Sequence, residues 1–251
     1  MTAPQEWLDW RAARHAALVA PDGWLNLIDR VEAGPGPQSV GQGAGNDLVL
    51  SAGPEHLGVL RLTPEAGDFT TPDGVLHRFL RGAGNPQLTL QSLLLELHSA
   101  DGSTALRVRD ISYKPQILMT YFDYDPLWNI RAAWVPLAAA EQRMIGQKGA
   151  GDEEVTLTHR AVFTREGKTH ALLPTHWKAG HPMFVIRDAT SGKGTYGAGR
   201  FLIGTVTGDA VRLDFNRAHS PPCAFTDLAI CPLPPPENRF AGPIEAGELF
   251  S

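Results

Sequence analysis

Glu154–Phe163, EVTLTHRAVF, decides the fold class of this chain. Val155, Leu157, His159, Ala161 and Phe163 fall on one side of an extended backbone, with Thr156, Thr158 and Arg160 on the other. Successive side chains of a strand point to opposite faces, so the pattern is a half-buried strand with His159 on its apolar side. A histidine there is either a core residue bonded to backbone or a catalytic one, and packing alone accounts for it.

Similar apolar runs recur on both sides. Strands are predicted at Leu57–Leu62, Val75–Leu80, Leu88–Leu97, Ala105–Asp110, Asn129–Leu137, Thr169–Leu173, Met183–Arg187, Arg200–Thr205 and Ala210–Phe215. Turn signals punctuate them: Pro72-Asp73-Gly74, Gly84-Asn85-Pro86, Asp101-Gly102, Glu166-Gly167-Lys168 and Thr207-Gly208-Asp209. Short strands at this spacing point to a mainly β protein, an antiparallel β-barrel or sandwich. Thr2, Pro4 and Gln5 open an N-terminal helix that ends before Pro21-Asp22-Gly23. Gly34–Gly45 reads as loop, Ala138–Met144 as a short helix and Gln147–Glu153 as the best internal boundary. The expected organisation is one domain over 1–251: helix 3–20, β-rich core 55–215 and an ordered wrap 216–251.

Composition bounds the function classes. Lys+Arg 22 against Asp+Glu 27 gives a net charge of −5, which argues against a broad nucleic-acid footprint. No apolar stretch approaches a membrane span, and the run Ala16–Ala20 is too short for a signal peptide. The expectation is a cytoplasmic protein with Cys223 and Cys231 as reduced thiols. Its partner would be a small molecule, with no nucleic acid and no membrane.

The tail Leu213–Glu248 carries both cysteines and seven prolines, with neither helical nor strand periodicity. Its prolines exclude an ordinary helix or central strand, and its Phe, Ile and Leu residues argue against free coil. An ordered clasp would hold Asp214, Asn216, Arg217, Glu237, Asn238 and Arg239 in place.

Several constellations could carry chemistry. Asp188–Arg200 is glycine-rich and could cradle an anion with its amides, Lys193 and Arg200, or be a tight connection between strands. It matches neither a P-loop nor a dinucleotide motif. Asp214-Phe-Asn-Arg217 places Asp214 and Asn216 on one strand face, as a general base and its neighbour or as a charge-paired strand end. Arg107 and Arg109 project together and could clamp a carboxylate or phosphate, or form a solvated face. Cys223, Cys231 and His219 match no zinc module, so no metal is assigned. Cys223 could be a nucleophile or a buried inert thiol.

The strings TSGKGTYGAGRFL, LDFNRAHSPPCAF, CPLPPPENRF and IEAGE resemble the bacterial and archaeal domain of unknown function 1684. DGWLNLI and LRVRD are similar to that family's early and central motifs. The chain departs from the pattern at ISYKPQILMTYFDYDP and at His219, where an aromatic or amide residue is more familiar. The resemblance implies no established activity. It directs attention to Tyr196, Gly199, Arg200, Asp214–Arg217, both cysteines, Glu237, Asn238 and Glu248, and it implies a relation to flavin-binding split barrels.

Three functions follow as expectations. The first is a small anionic-ligand pocket between the turn 191–200 and the wrap, lined by Lys193, Tyr196, Arg200, Asn216, Arg217 and Asn238, with Asp214 or Glu237 as acid or base. Arg107 and Arg109 are further ligand candidates. The second is a non-catalytic binding or scaffold domain whose motif residues are structural. The third is a flavin protein, recognisable by yellow colour.

Overall fold

The computed structural model describes residues 3–80, 82, 84–100 and 102–250. Thr2 and Asp101, read above as a helix cap and half of a turn, lie outside them. The span 1–251 divides by its contacts into two compact units, residues 16–117 and residues 1–15 with 118–251. The expected boundary at Gln147–Glu153 is instead a hairpin connection. The strands Asn129–Ile145 and Glu153–Arg165 flank it and pair on both sides of a bulge.

In the unit 16–117, a four-stranded antiparallel sheet runs in the order Leu27–Ala33, Ser103–Asp110, Leu93–Ala100, Gln87–Leu90. A five-stranded sheet runs Leu48–Val49, Pro37–Gly41, Gly58–Leu62, Gly67–Thr70, Leu76–Arg78. Val40, Leu60, Phe69, Leu95, Leu106 and Val108 meet in one core. The predicted strand Leu88–Leu97 is two strands, because Gln91 takes φ 53° and turns the chain back. The β-structure therefore begins at Leu27, well before residue 55, and Gly34–Gly45 is not all loop.

In the other unit, seven antiparallel strands form one curled sheet. Their order is Lys168–Leu172, Glu153–Arg165, Asn129–Ile145, Ala210–Asp214, Arg200–Thr207, His181–Ile186, His176–Lys178. The sheet is a half-barrel, so the barrel expected from the strand pattern is partial. Ala138–Met144 is strand rather than helix. Glu141–Met144 pairs with Glu154–Leu157, and this tertiary pairing overrides an Ala-rich local preference. The alternation in Glu154–Phe163 holds: Leu157, Ala161 and Phe163 are buried. His159 is half-buried and stacks on Trp134, with ring centroids 4.9 Å apart and planes within 4°, while its Nδ1 lies 3.0 Å from Thr158 Oγ1.

The N-terminal helix spans Gln5–Val19. Within this unit, Trp7 is buried and its indole N–H donates to Asn216 O at 2.9 Å. The proline-rich tail is an ordered wrap made of short 3₁₀ turns at Phe215–Arg217, Pro222–Ala224 and Pro236–Asn238. Proline fits the first turn of such a helix, whose missing N–H would have no partner anyway. Ile244 and Ala246 enter the same core as Phe184, Ile186, Leu202, Leu213 and Phe215. The wrap therefore completes the core. Among the described residues, no helix is long and apolar enough to cross a membrane.

Candidate functional site

The glycine-rich segment joins the strands His181–Ile186 and Arg200–Thr207. Thr190 O accepts from the amides of Lys193, Gly194 and Thr195 at 3.0, 3.1 and 3.2 Å. The amides that an anion would need are thus turned onto a carbonyl. Lys193 is exposed, and its ammonium forms no ion pair among the described residues. Gly199 has φ +116°, and a Cβ there would stand 2.7 Å from Ile186 O, which explains why glycine occupies it.

Arg200 is wholly buried. One terminal nitrogen donates to Ala246 O at 2.5 Å; the other donates to Asp188 Oδ2 at 2.9 Å and to Ile244 O at 3.1 Å. Burial pulls its pKa down, and the Asp188 carboxylate opposes that shift. Nε lacks a hydrogen-bond partner among the described residues. Asp188 Oδ1 accepts from Thr190 N, Thr190 Oγ1 and Ile244 N at 2.8, 2.7 and 3.1 Å. One ion pair therefore ties the sheet, the turn and the wrap together. The anion expected beside Arg200 is an internal carboxylate.

Asp214 ends its strand and caps the 3₁₀ turn Phe215–Arg217, so these four residues do not alternate faces as a strand would. Its Oδ1 accepts from Asn216 N at 3.2 Å and from Asn216 Nδ2 at 3.0 Å, and its Oδ2 lies 3.3 Å from Arg217 Nε. Arg217 also reaches Glu6 at 2.5 Å. Asn216 exchanges hydrogen bonds with the backbone N–H and C=O of Asp125, at 3.0 and 2.9 Å. Asn238 accepts from Leu173 N at 2.8 Å and donates to Leu173 O at 2.8 Å and Val185 O at 3.0 Å, with no exposed surface. Glu237 is exposed and pairs with Arg143 at 3.0 Å. Among the described residues, no hydrogen bond or ion pair joins Asp214 to Glu237. Glu248 accepts from Ser220 N at 3.1 Å and from Arg14 Nε at 3.2 Å.

Arg107 and Arg109 lie in the unit 16–117 and do close on a carboxylate, but it is the chain's own. Their guanidiniums bind the two oxygens of buried Glu96 at 3.1 and 2.8 Å, with Trp24 stacked 5.3 and 5.9 Å away. Burial works against the Glu96 charge, yet Arg109, Asn85 and Arg107 together hold its pKa below the usual carboxylate range. That unit also carries a cleft of about 460 Å³ lined by Thr63, Glu65, Asn85, Leu97 and Ser99 among others.

The pairing of Gln147–Lys148 with Cys231–Pro232 brings four reactive groups together. Cys223 N–H points at Cys231 Sγ, 3.3 Å away. Tyr196 Oη lies 2.7 Å from Cys223 O and 3.8 Å from Cys223 Sγ. Lys148 Nζ donates to Tyr196 Oη at 2.9 Å and to Cys223 O at 3.1 Å. The Cys231 thiol hydrogen bond pulls the Cys223 pKa down, helped by Tyr196 and Lys148 against the opposing effect of burial. The same bond, then burial, pushes Cys231 up. Both thiols are free and buried. Among the described residues, no group of three or more His, Cys, Asp or Glu side chains is placed to hold a metal.

Sequence reasoning missed Asp188, Glu248's partner Arg14, and Lys148. Asp188-Ala-Thr-Ser is an Asx-type cap signal that could have exposed the first. Nothing local marks Lys148, which reaches its partners through strand pairing.

Residues 118–249 match the family described as Protein of unknown function (DUF1684), and the chain belongs to that family. DGWLNLI and LRVRD lie outside the matched segment. Among solved structures, the chain is similar to an NMR structure of an uncharacterized protein of Haloarcula marismortui. That likeness has 27% identity and a TM-score of 0.43, and covers 52% of this chain and 75% of that one. No match is found among the curated proteins.

Proposed function

We propose that the segment 118–249 is a non-catalytic binding or scaffold domain whose motif residues are its frame. One observation carries this reading: the whole of the Arg200 side chain is buried, with both terminal nitrogens spent on Asp188, Ile244 O and Ala246 O. Asn216 and Asn238 are likewise committed to backbone groups, so the polar residues act as rivets between sheet and wrap. Buried polar groups need such partners, because leaving one unpaired costs about 1–3 kcal/mol.

A thermal-shift screen of the full chain against anionic metabolites and flavins tests the proposal. Binding only the native state raises stability, so a ligand announces itself. The expected result is no anion-dependent shift, and the same null profile in Lys193→Ala. An anionic metabolite that raises the melting temperature of the wild type but not of Lys193→Ala would restore the pocket reading and overturn this one. A yellow preparation that loses stability when flavin is removed would overturn it too.

A further inference from the structure

We propose that Cys223 and Cys231 form a peroxide-reactive dithiol, with Cys223 as the attacking sulfur, Cys231 as the resolving one, and Tyr196 and Lys148 as the groups that hold the attacking thiolate. The proposal goes beyond the scaffold reading and does not depend on it: Arg200, Asn216 and Asn238 remain the frame, and the two cysteines react stoichiometrically rather than as a catalytic centre. It rests on the Cys223 backbone N–H 3.3 Å from Cys231 Sγ, the Tyr196 hydroxyl 3.8 Å from Cys223 Sγ, and the Lys148 ammonium 2.9 Å from that hydroxyl.

Each part has a chemical reason. A thiolate, not a thiol, is the nucleophile, and a thiolate is stabilised by donors and by a nearby cation. Tyr196 accepts from Lys148 at 2.9 Å and donates to Cys223 O at 2.7 Å, with Cys223 Sγ 3.8 Å away, so a turn of the hydroxyl proton onto the sulfur lets the cation act through the phenol. The Tyr196 hydroxyl lies 3.8 Å from Cys223 Sγ, whereas Cys231 Sγ accepts only the Cys223 backbone N–H at 3.3 Å, and this asymmetry assigns the two roles. Asp227, which lies 3.5 Å from Lys148 Nζ and is itself almost fully exposed, is the one carboxylate paired to that ammonium among the described residues. Cys223 and Cys231 retain only 4% and 2% of their surface, which favours a small oxidant over a bulky disulfide.

The step balances. The Cys223 thiolate attacks one oxygen of hydrogen peroxide, an S–O bond forms and the O–O bond breaks. The leaving hydroxide takes a proton through Tyr196 from the Lys148 ammonium and departs as water. Cys231 sulfur then attacks the Cys223 sulfenic sulfur, the S–S bond forms and the S–O bond breaks. The second hydroxide leaves as water with the Cys231 proton, and Lys148 regains its proton from solvent. Two thiols are oxidised by two electrons and peroxide is reduced to two waters.

The test treats the reduced full chain with hydrogen peroxide, follows free thiols after denaturation, and maps the products by mass spectrometry. The expected product is an intramolecular Cys223–Cys231 link, with both thiols lost together and restored by dithiothreitol. In Cys231→Ser, dimedone should label Cys223. At pH 7 the wild-type reaction should run on the order of tenfold faster than that of free cysteine, which is only a few per cent thiolate there. Its rate should rise with pH to a midpoint of its own that lies below the free-thiol value of about 8.5. Tyr196→Phe and Lys148→Met should each slow it severalfold and move that midpoint up. Should Cys231→Ser fail to fold, the wild-type product map and the Tyr196→Phe profile still decide. Thiols consumed singly, a link to a second chain, or a rate unmoved in both Tyr196→Phe and Lys148→Met would overturn the proposal.

Discussion

Replacing Arg200 with methionine should loosen the wrap and lower stability by several kcal/mol. The substitution keeps much of the volume but removes the guanidinium from a site with no exposed surface. Asp188, whose side chain is equally sealed, would then carry a buried charge without its partner. Breaking a buried pair in this way costs about 3–5 kcal/mol. Ile244 O and Ala246 O lose their donor at the same time, but those losses overlap with the first and should not be added. For a chain of this size, about 2–4 °C per kcal/mol translates the effect into a melting-point drop of about 6–20 °C. Scanning calorimetry would read it, with limited proteolysis reporting whether residues 240–250 become cleavable. Arg200→Lys, which keeps charge but loses the fork, should fall between wild type and Arg200→Met. Pairing Arg200→Met with Asp188→Leu should recover part of the loss, because the uncompensated charge goes too. An Arg200→Met chain that melts within about 2 °C of wild type would falsify the claim that this pair fastens the wrap.

Two further predictions concern the same clasp. Gly247 has φ +87°, and a Cβ there would lie 2.4 Å from Ala218 O, so Gly247→Ala should destabilise by more than the roughly 1 kcal/mol of an unstrained glycine exchange; an unchanged urea midpoint would oppose this. Burial, with the Arg14 charge next, pushes His219 down to about 3. Its folded value lies below the unfolded value of about 6.5, so the unfolded chain binds the proton more readily and stability is lost as pH falls from about 6.5. Partial exposure of the ring narrows that window from below. His219→Phe should flatten this part of the stability–pH curve, and an identical slope in the variant would count against it.

Much of this architecture was legible in the sequence wherever one local rule dominates. Alternation places Glu154–Phe163, and proline density marks the wrap, because both signals come from the chain's own geometry. The strand Leu27–Ala33 escaped notice because Asp29, Arg30 and Glu32 interrupt its apolar pattern, and the partners that make this tolerable are distant: Asp29 is held by Ser51. Ala138–Met144 misled because its residues favour helix when only neighbours count. The candidate ligand residues were legible as a cluster of ordered polar groups, while their employment was not. Whether Arg200 faces a ligand or Asp188 depends on where the wrap returns, and no local pattern encodes that.

The link from Trp7 to Asn216 also bears on biosynthesis. The helix that carries Trp7 leaves the ribosome long before Ile244 and Ala246, which fill the core beside Phe215. At about 5–20 residues per second, the delay is on the order of ten seconds or more. Until Asn216 emerges the tryptophan lacks its acceptor, and until Ile244 and Ala246 emerge the sheet lacks its lid. The indole of Trp7 therefore waits for its partner through most of the chain's synthesis.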